Sequence, residues 1–157
     1  MSETDILLFA LMFFSVLIPF ALYRLKSLRK QGIRQMQEKL STETILLMDE
    51  KSIFYGQKSR GPIHARGLGG ICAITDQAIY FKTFPYGKWS DFAISIPILK
   101  IHSIDKTSNF LSMSSNVIGG LVVVQFINSN NEEDEISWRF KQNDDTIQLL
   151  NNQITKQ

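Results

Sequence analysis

Apolar positions dominate the start of the chain without a break. Ile6 to Tyr23 reads ILLFALMFFSVLIPFALY, eighteen residues in which only Ser15 and Pro19 interrupt the pattern. At about 1.5 Å of rise per residue such a helix reaches about 27 Å, close to the ~30 Å hydrocarbon core of a bilayer. Its Phe, Leu, Ile and Met side chains fall on every face, leaving no polar stripe of the kind a surface helix carries. The pattern predicts a transmembrane helix over 6–23, preceded by a short extracytoplasmic N-terminus, 1–5. From Ser27 to Leu40 the apolar positions thin out to Leu28, Ile33, Met36 and Leu40 among polar, helix-forming neighbours. Residues 24–42 therefore read as a basic juxtamembrane helix or linker, weakest at Gly32.

Beyond residue 43 the period shortens to that of strands. Ile45 to Met48 and Ser52 to Gln57 are short runs, the second with Gly56 as a bend. Gly69 to Thr75 and Ala78 to Phe84 flank Asp76-Gln77, the signature of a tight hairpin. In the second of these, Ile79, Phe81 and Thr83 alternate with Tyr80, Lys82 and Phe84, which predicts one buried and one wet face. Phe92 to Ile96 and Lys100 to Lys106 follow on either side of Pro97. Leu121 to Ile127 (LVVVQFI) is the strongest β-branched run, and Glu135 to Phe140 alternates again, with Ile136, Trp138 and Phe140 on one side. After Asn143-Asp144-Asp145, a helix-capping cluster, Ile147, Leu149, Leu150 and Ile154 predict a closing amphipathic helix. Seven or so strands and one helix, with no strand–helix–strand alternation, predict a mainly β (α+β) antiparallel sheet or barrel over 43–154.

Charge fixes how the first segment is used. A signal peptide begins with a basic stretch and ends in a small-x-small cleavage site. Here Glu3 and Asp5 precede the apolar run, and Arg24, Lys26, Arg29, Lys30 and Arg34 follow it. The segment is therefore expected to remain as an anchor. The positive-inside rule puts the N-terminus outside and the domain in the cytoplasm, at the cell (inner or plasma) membrane. The single cysteine, Cys72, excludes an internal disulfide and sits among apolar residues, as a buried structural thiol does. The net charge of +2 is unevenly spread. Residues 51–100 hold seven Lys and Arg against Asp76 and Asp91, whereas residues 101–157 hold four against seven acids. Most of that acid lies in Glu132 to Glu135, expected to be a solvated loop between strands.

These residues resemble a known family. Gly69 to Lys82 (GGICAITDQAIYFK) is similar to the G-x-L-x-L-T-D-x-x-L-x-F hairpin of GRAM and pleckstrin-homology-like domains. Ser95 to Ile104 (SIPILKIHSI) resembles the I-P-L-x-x-I-x-x-I segment that follows it there, and Leu121 to Phe126 with Asp134 to Phe140 resembles the next hairpin. The resemblance covers about residues 44–154. It implies a small bent antiparallel β-barrel closed by a C-terminal helix, acting as a lipid- or protein-binding module and not as an enzyme. Many bacterial members are joined to a transmembrane helix. Phosphoinositide-binding relatives carry a basic cluster between the first two strands. In this chain Lys58, Arg60, His64 and Arg66 stand there, in KSRGPIHARG, as candidate residues for a headgroup or a partner.

No catalytic constellation is legible. His64 and His102 are the only histidines, neither with a neighbouring Cys, His or carboxylate pair that would make a metal or acid–base site. Gly67, Gly69 and Gly70 precede a strand rather than a helix, which a dinucleotide loop must open. The expectation is a membrane-anchored, non-catalytic binding module with no cofactor, metal or nucleic acid, whose ligand is anionic lipid or a membrane-protein partner. The alternative is an assembly subunit that self-associates through strand edges or the LVVVQFI face.

Overall fold

The computed structural model describes residues 3–62, 67–84, 92–110, 113–114 and 120–156. One helix, α1 (Glu3–Lys39), runs unbroken through both the apolar stretch and its basic flank. It is followed by β1 (Ile45–Gln57), β2 (Gly61–Pro62), β3 (Leu68–Thr75), β4 (Ala78–Thr83), β5 (Ala93–Pro97) and β6 (Ile101–Thr107). Two short strands, β7 (Asn109–Phe110) and β8 (Met113–Ser114), lead to β9 (Leu121–Ile127), β10 (Glu133–Arg139) and the closing helix α2 (Asn143–Ile154).

The main sheet is antiparallel, in the order β5-β4-β3-β1-β10-β9-β6. β1 lies between β3 and β10 and joins the first half of the sheet to the second, with β2 paired on β1 and β7 with β8 in a separate two-stranded sheet. β1 can serve both halves because it is long and bent. Its register shifts between Asp49 and Ser52 against β3 and between Phe54 and Gly56 against β10, and such bulges sharpen strand twist. Gly56, at φ 152°, takes a backbone conformation closed to most side chains. The two runs that the sequence separates, Ile45 to Met48 and Ser52 to Gln57, are thus one strand. The molecule is mainly β with a helix at each end, as the resemblance implies.

The core lies inside the bent sheet. Phe54, Phe81 and Trp138 meet with ring centroids 5.5–6.5 Å apart, and Ile79, Val122, Val124 and Ile136 fill the space around them. Leu150 of α2, fully buried, closes one end. The hairpin is the predicted one, and Thr75 Oγ1 accepts from the N–H of Gln77 and Ala78 across its turn. Gly70 is required beside it. A Cβ there would fall on the Lys82 carbonyl oxygen and within 2.7 Å of the Phe81 ring.

One outer face expected to meet water is covered instead. Phe84 is buried and Tyr80 and Lys82 are half-buried, because the last turns of α1 lie across them. Ile33, Met36 and Leu40 pack onto Met48, Ile71, Ala73 and Tyr80. Gly32 is buried on the same helix face. What lowers intrinsic helix propensity here sits where the helix meets the sheet. The helix and β4 run in opposite directions, and three rungs define the pairing. Lys39 stands 5.3 Å from the Tyr80 ring, Lys82 Nζ donates to Gln35 Oε1 at 3.2 Å, and Arg29 lies 5.7 Å from the Phe84 ring. Arg29 also reaches Glu50 of β1 at 3.4 Å. On the other half of the sheet, Tyr55, Phe110, Leu121 and Val123 form a second outer cluster. β9 is consequently buried on both faces for most of its length.

α2 starts where expected but is capped differently. Gln142 is its N-cap and makes no side-chain capping bond. The Asn143 side chain accepts from the Phe140 N–H and donates to the Gly120 carbonyl, tying the helix start to β9 and β10.

Candidate functional site

The basic cluster expected between the first strands begins in a single 3₁₀ turn, Lys58–Arg60, directly after β1. The turn is held by Asp134, which is buried at 1% exposure despite belonging to the acidic run. Asp134 accepts from the side chain of Gln57, from the Ser59 N–H at 3.0 Å, from Ser59 Oγ at 2.6 Å and from the Glu135 N–H at 2.9 Å. Burial alone would raise its pKa. The bonds from Ser59 and Gln57, with the two N–H donors, outweigh that and hold the carboxyl below its ordinary value. Glu132 and Glu133 are exposed, but the run is not the expected loop: β10 begins at Glu133, and Asp134 is a structural clamp.

Lys58 is not free to meet an anion alone. Its Nζ sits 3.1 Å from Glu135 Oε1, with 60% of the side chain exposed. Arg60 borders a recess of about 200 Å³ together with Gln57, Ser95 and Asn128. His64 and Arg66 lie outside the described residues. Of the expected cluster, the structure therefore places Lys58 and Arg60 on one turn, the first already neutralised. Along α1, Arg24, Lys26 and Lys30 are exposed, Arg34 pairs with Glu38 at 2.9 Å, and Arg29 is turned onto the sheet.

A larger basic feature lies elsewhere. A groove of about 590 Å³ is bounded by Lys51 of β1, Lys106 of β6, Arg139 of β10, Lys141, and Asp144 and Asp145 at the start of α2. Lys106 Nζ is paired with Asp144 at 2.7 Å. Lys51, Arg139 and Lys141 have no ion-pair partner among the described residues. The groove wall is set from behind by Asp49, whose carboxylate accepts from the N–H of Lys51 at 2.8 Å and of Lys141 at 2.6 Å. One buried acid thereby fixes two of the cationic residues, which the sequence separates by ninety positions. Sequence reasoning missed this cluster because its members come from three strands and a helix start, and only register brings them together.

Cys72 is fully buried, and burial, followed by the Asp49 charge, pushes its thiol well above the ordinary value. It is a protonated core residue. His102 is exposed on β6, and no group of three or more His, Cys, Asp or Glu is placed to hold a metal among the described residues. One helix, spanning Leu11–Lys39 among the residues searched, is long and apolar enough to cross a membrane, and none of its apolar window is buried.

No family model matches the sequence, and no curated protein matches it. Solved structures do resemble the fold. The C-terminal domain of an unknown protein from Leishmania infantum superposes with a TM-score of 0.51 at 18% identity, covering 80% of this chain and 97% of that one. The Vps36 N-terminal PH domain aligns with a TM-score of 0.46 at 20% identity, over 73% of this chain and 84% of that domain. At these identities the likeness is one of fold alone.

Proposed function

We propose that the chain is a single-span membrane protein of the GRAM-like, pleckstrin-homology-like kind. Its β domain is a non-catalytic binding module held on the cytoplasmic side of the cell membrane, N-terminus outside. It engages components of the membrane that anchors it: anionic lipid headgroups or a neighbouring membrane protein. The observation that carries this is α1 itself. Its apolar residues from Leu11 to Tyr23 are exposed, with Leu11 at 66%, Val16 at 69% and Phe20 at 60%, while its last turns are built into the domain. Exposed apolar area of that extent has a large cost in water and none in hydrocarbon. The five basic residues that follow it support the sidedness.

Membrane fractionation of cells expressing the full chain tests the reading. The protein is expected to remain in the membrane pellet after alkaline carbonate washing, and removal of residues 1–23 should release it. Recovery of the intact chain in the aqueous fraction overturns the anchor. Digestion of the β domain by protease added to intact cells overturns the sidedness.

A further inference from the structure

We propose that the groove bounded by Lys51, Lys106, Arg139 and Lys141 seats anionic lipid headgroups of the leaflet in which α1 is anchored. The proposal rests on the single-span reading of that helix. Three observations carry it: charge, position and continuity.

Three of the four cations have no ion-pair partner among the described residues, and the groove is concave, with about 590 Å³ of space. A phosphate-bearing headgroup fits a basic pocket of that size better than a flat surface patch does. The facing acids are Asp144, already satisfied by Lys106, and Asp145.

The fold also holds this groove near the bilayer. Lys51 follows Glu50, which bonds Arg29 of α1. Arg29 is five residues, about 8 Å along the helix, from Arg24, where the apolar run ends. As β1 proceeds from Met48 to Glu50, the α1 residues it meets move back from the Ile33–Leu40 cluster to Arg29. β1 thus heads toward the membrane, and Ile53 with its sheet partner Arg139 lies farther along that path. β1 thereby carries the groove toward the end of α1 where the apolar run stops, and exposed charges act on a headgroup layer over a Debye length of about 8 Å. The exposed basic flank of Arg24, Lys26 and Lys30 leads along α1 to Arg29 and through Glu50 to Lys51, so flank and groove contribute to one field against the same anionic surface. The first-strand turn is less suited, since Glu135 neutralises Lys58.

The test is hydrogen exchange on the full chain in lipid nanodiscs, comparing phosphatidylcholine alone with phosphatidylcholine containing phosphatidylserine. Anionic lipid is expected to slow exchange several-fold at residues 51–53 and 139–145, and salt should reverse the effect as the Debye length falls from about 10 Å at 0.1 M to about 3 Å at 1 M. The triple variant Lys51→Glu, Arg139→Glu, Lys141→Glu should lose the lipid-dependent slowing while the core amides of 71–74 stay as protected as in the unaltered chain. The charge-retaining triple Lys51→Arg, Arg139→Lys, Lys141→Arg should keep it. Identical exchange in the two bilayers overturns the proposal, in favour of an acidic protein segment as the occupant. Failure of the chain to enter nanodiscs, read beforehand by flotation, removes the anchor itself.

Discussion

Asp134 shows how far a single side chain departs from its neighbourhood in sequence. It stands within four consecutive acids, yet its carboxylate is buried and accepts four hydrogen bonds. The signal for this was present. Asp134 lies two and four residues before Ile136 and Trp138, on the inward parity of β10. An acid at that position was not legible as buried because its donors, Gln57 and Ser59, come from a strand end more than seventy residues away. Its pKa is lowered in the fold, so its contribution to stability is complete above the unfolded value of about 3.9 and is lost as pH falls through that value toward the folded one. Asp134→Asn is expected to cost about 2–3 kcal/mol at neutral pH, because Gln57 and Ser59 lose a charged acceptor. It should also flatten the acid limb of the stability curve below about pH 4. Denaturant unfolding of the two proteins as a function of pH measures both effects.

Among the elements, strands were legible where alternation was clean: β3, β4, β9, β10 and the closing helix fall where the pattern puts them. The outer faces were not legible. Tyr80, Lys82 and Phe84 read as a wet face because polar and aromatic residues mix there, and only the docking of α1 covers them. The spacing of Ile33, Met36 and Leu40 carried that information weakly, with Gly32 counted against a helix when it lies on the docked face. Glu43 completes the joint, accepting from Thr75 Oγ1 and from the Tyr80 hydroxyl, both at 2.7 Å. Leu40, 1% exposed, bears the largest share of apolar burial at the end of this helix. Leu40→Ala should lower the stability of the domain by about 2–5 kcal/mol. Exchange of the amides near Met36 should rise before that of β9, since the joint opens first. Equal destabilisation of both would mean that helix and sheet unfold as one unit.

For the whole molecule, the charge asymmetry read from the sequence has a spatial counterpart, but a different one from that expected. The basic residues of 51–100 do not gather on the first-strand turn alone. Lys51 joins Arg139 and Lys141 from the acidic half of the chain. The groove was invisible to spacing because it depends on the register that sets Ile53 opposite Arg139, and on the Asp49 bonds that fix the two flanking backbone positions.

Under the proposed single-span reading, one uninterrupted helix joins span to sheet, and the anchor works as a graduated rod rather than a leash. Each residue added between Lys26 and Ser27 lifts the domain by about 1.5 Å and swings it by about 100° around the rod. One inserted alanine changes the compass bearing almost without changing altitude. Seven change altitude by about 10 Å and bearing by only about 20°. Contact with a laterally uniform lipid surface should survive the first insertion and vanish with the second, whereas docking to a neighbouring protein should be more sensitive to bearing. The same exchange measurement at residues 139–145, made on both insertions, separates altitude from bearing.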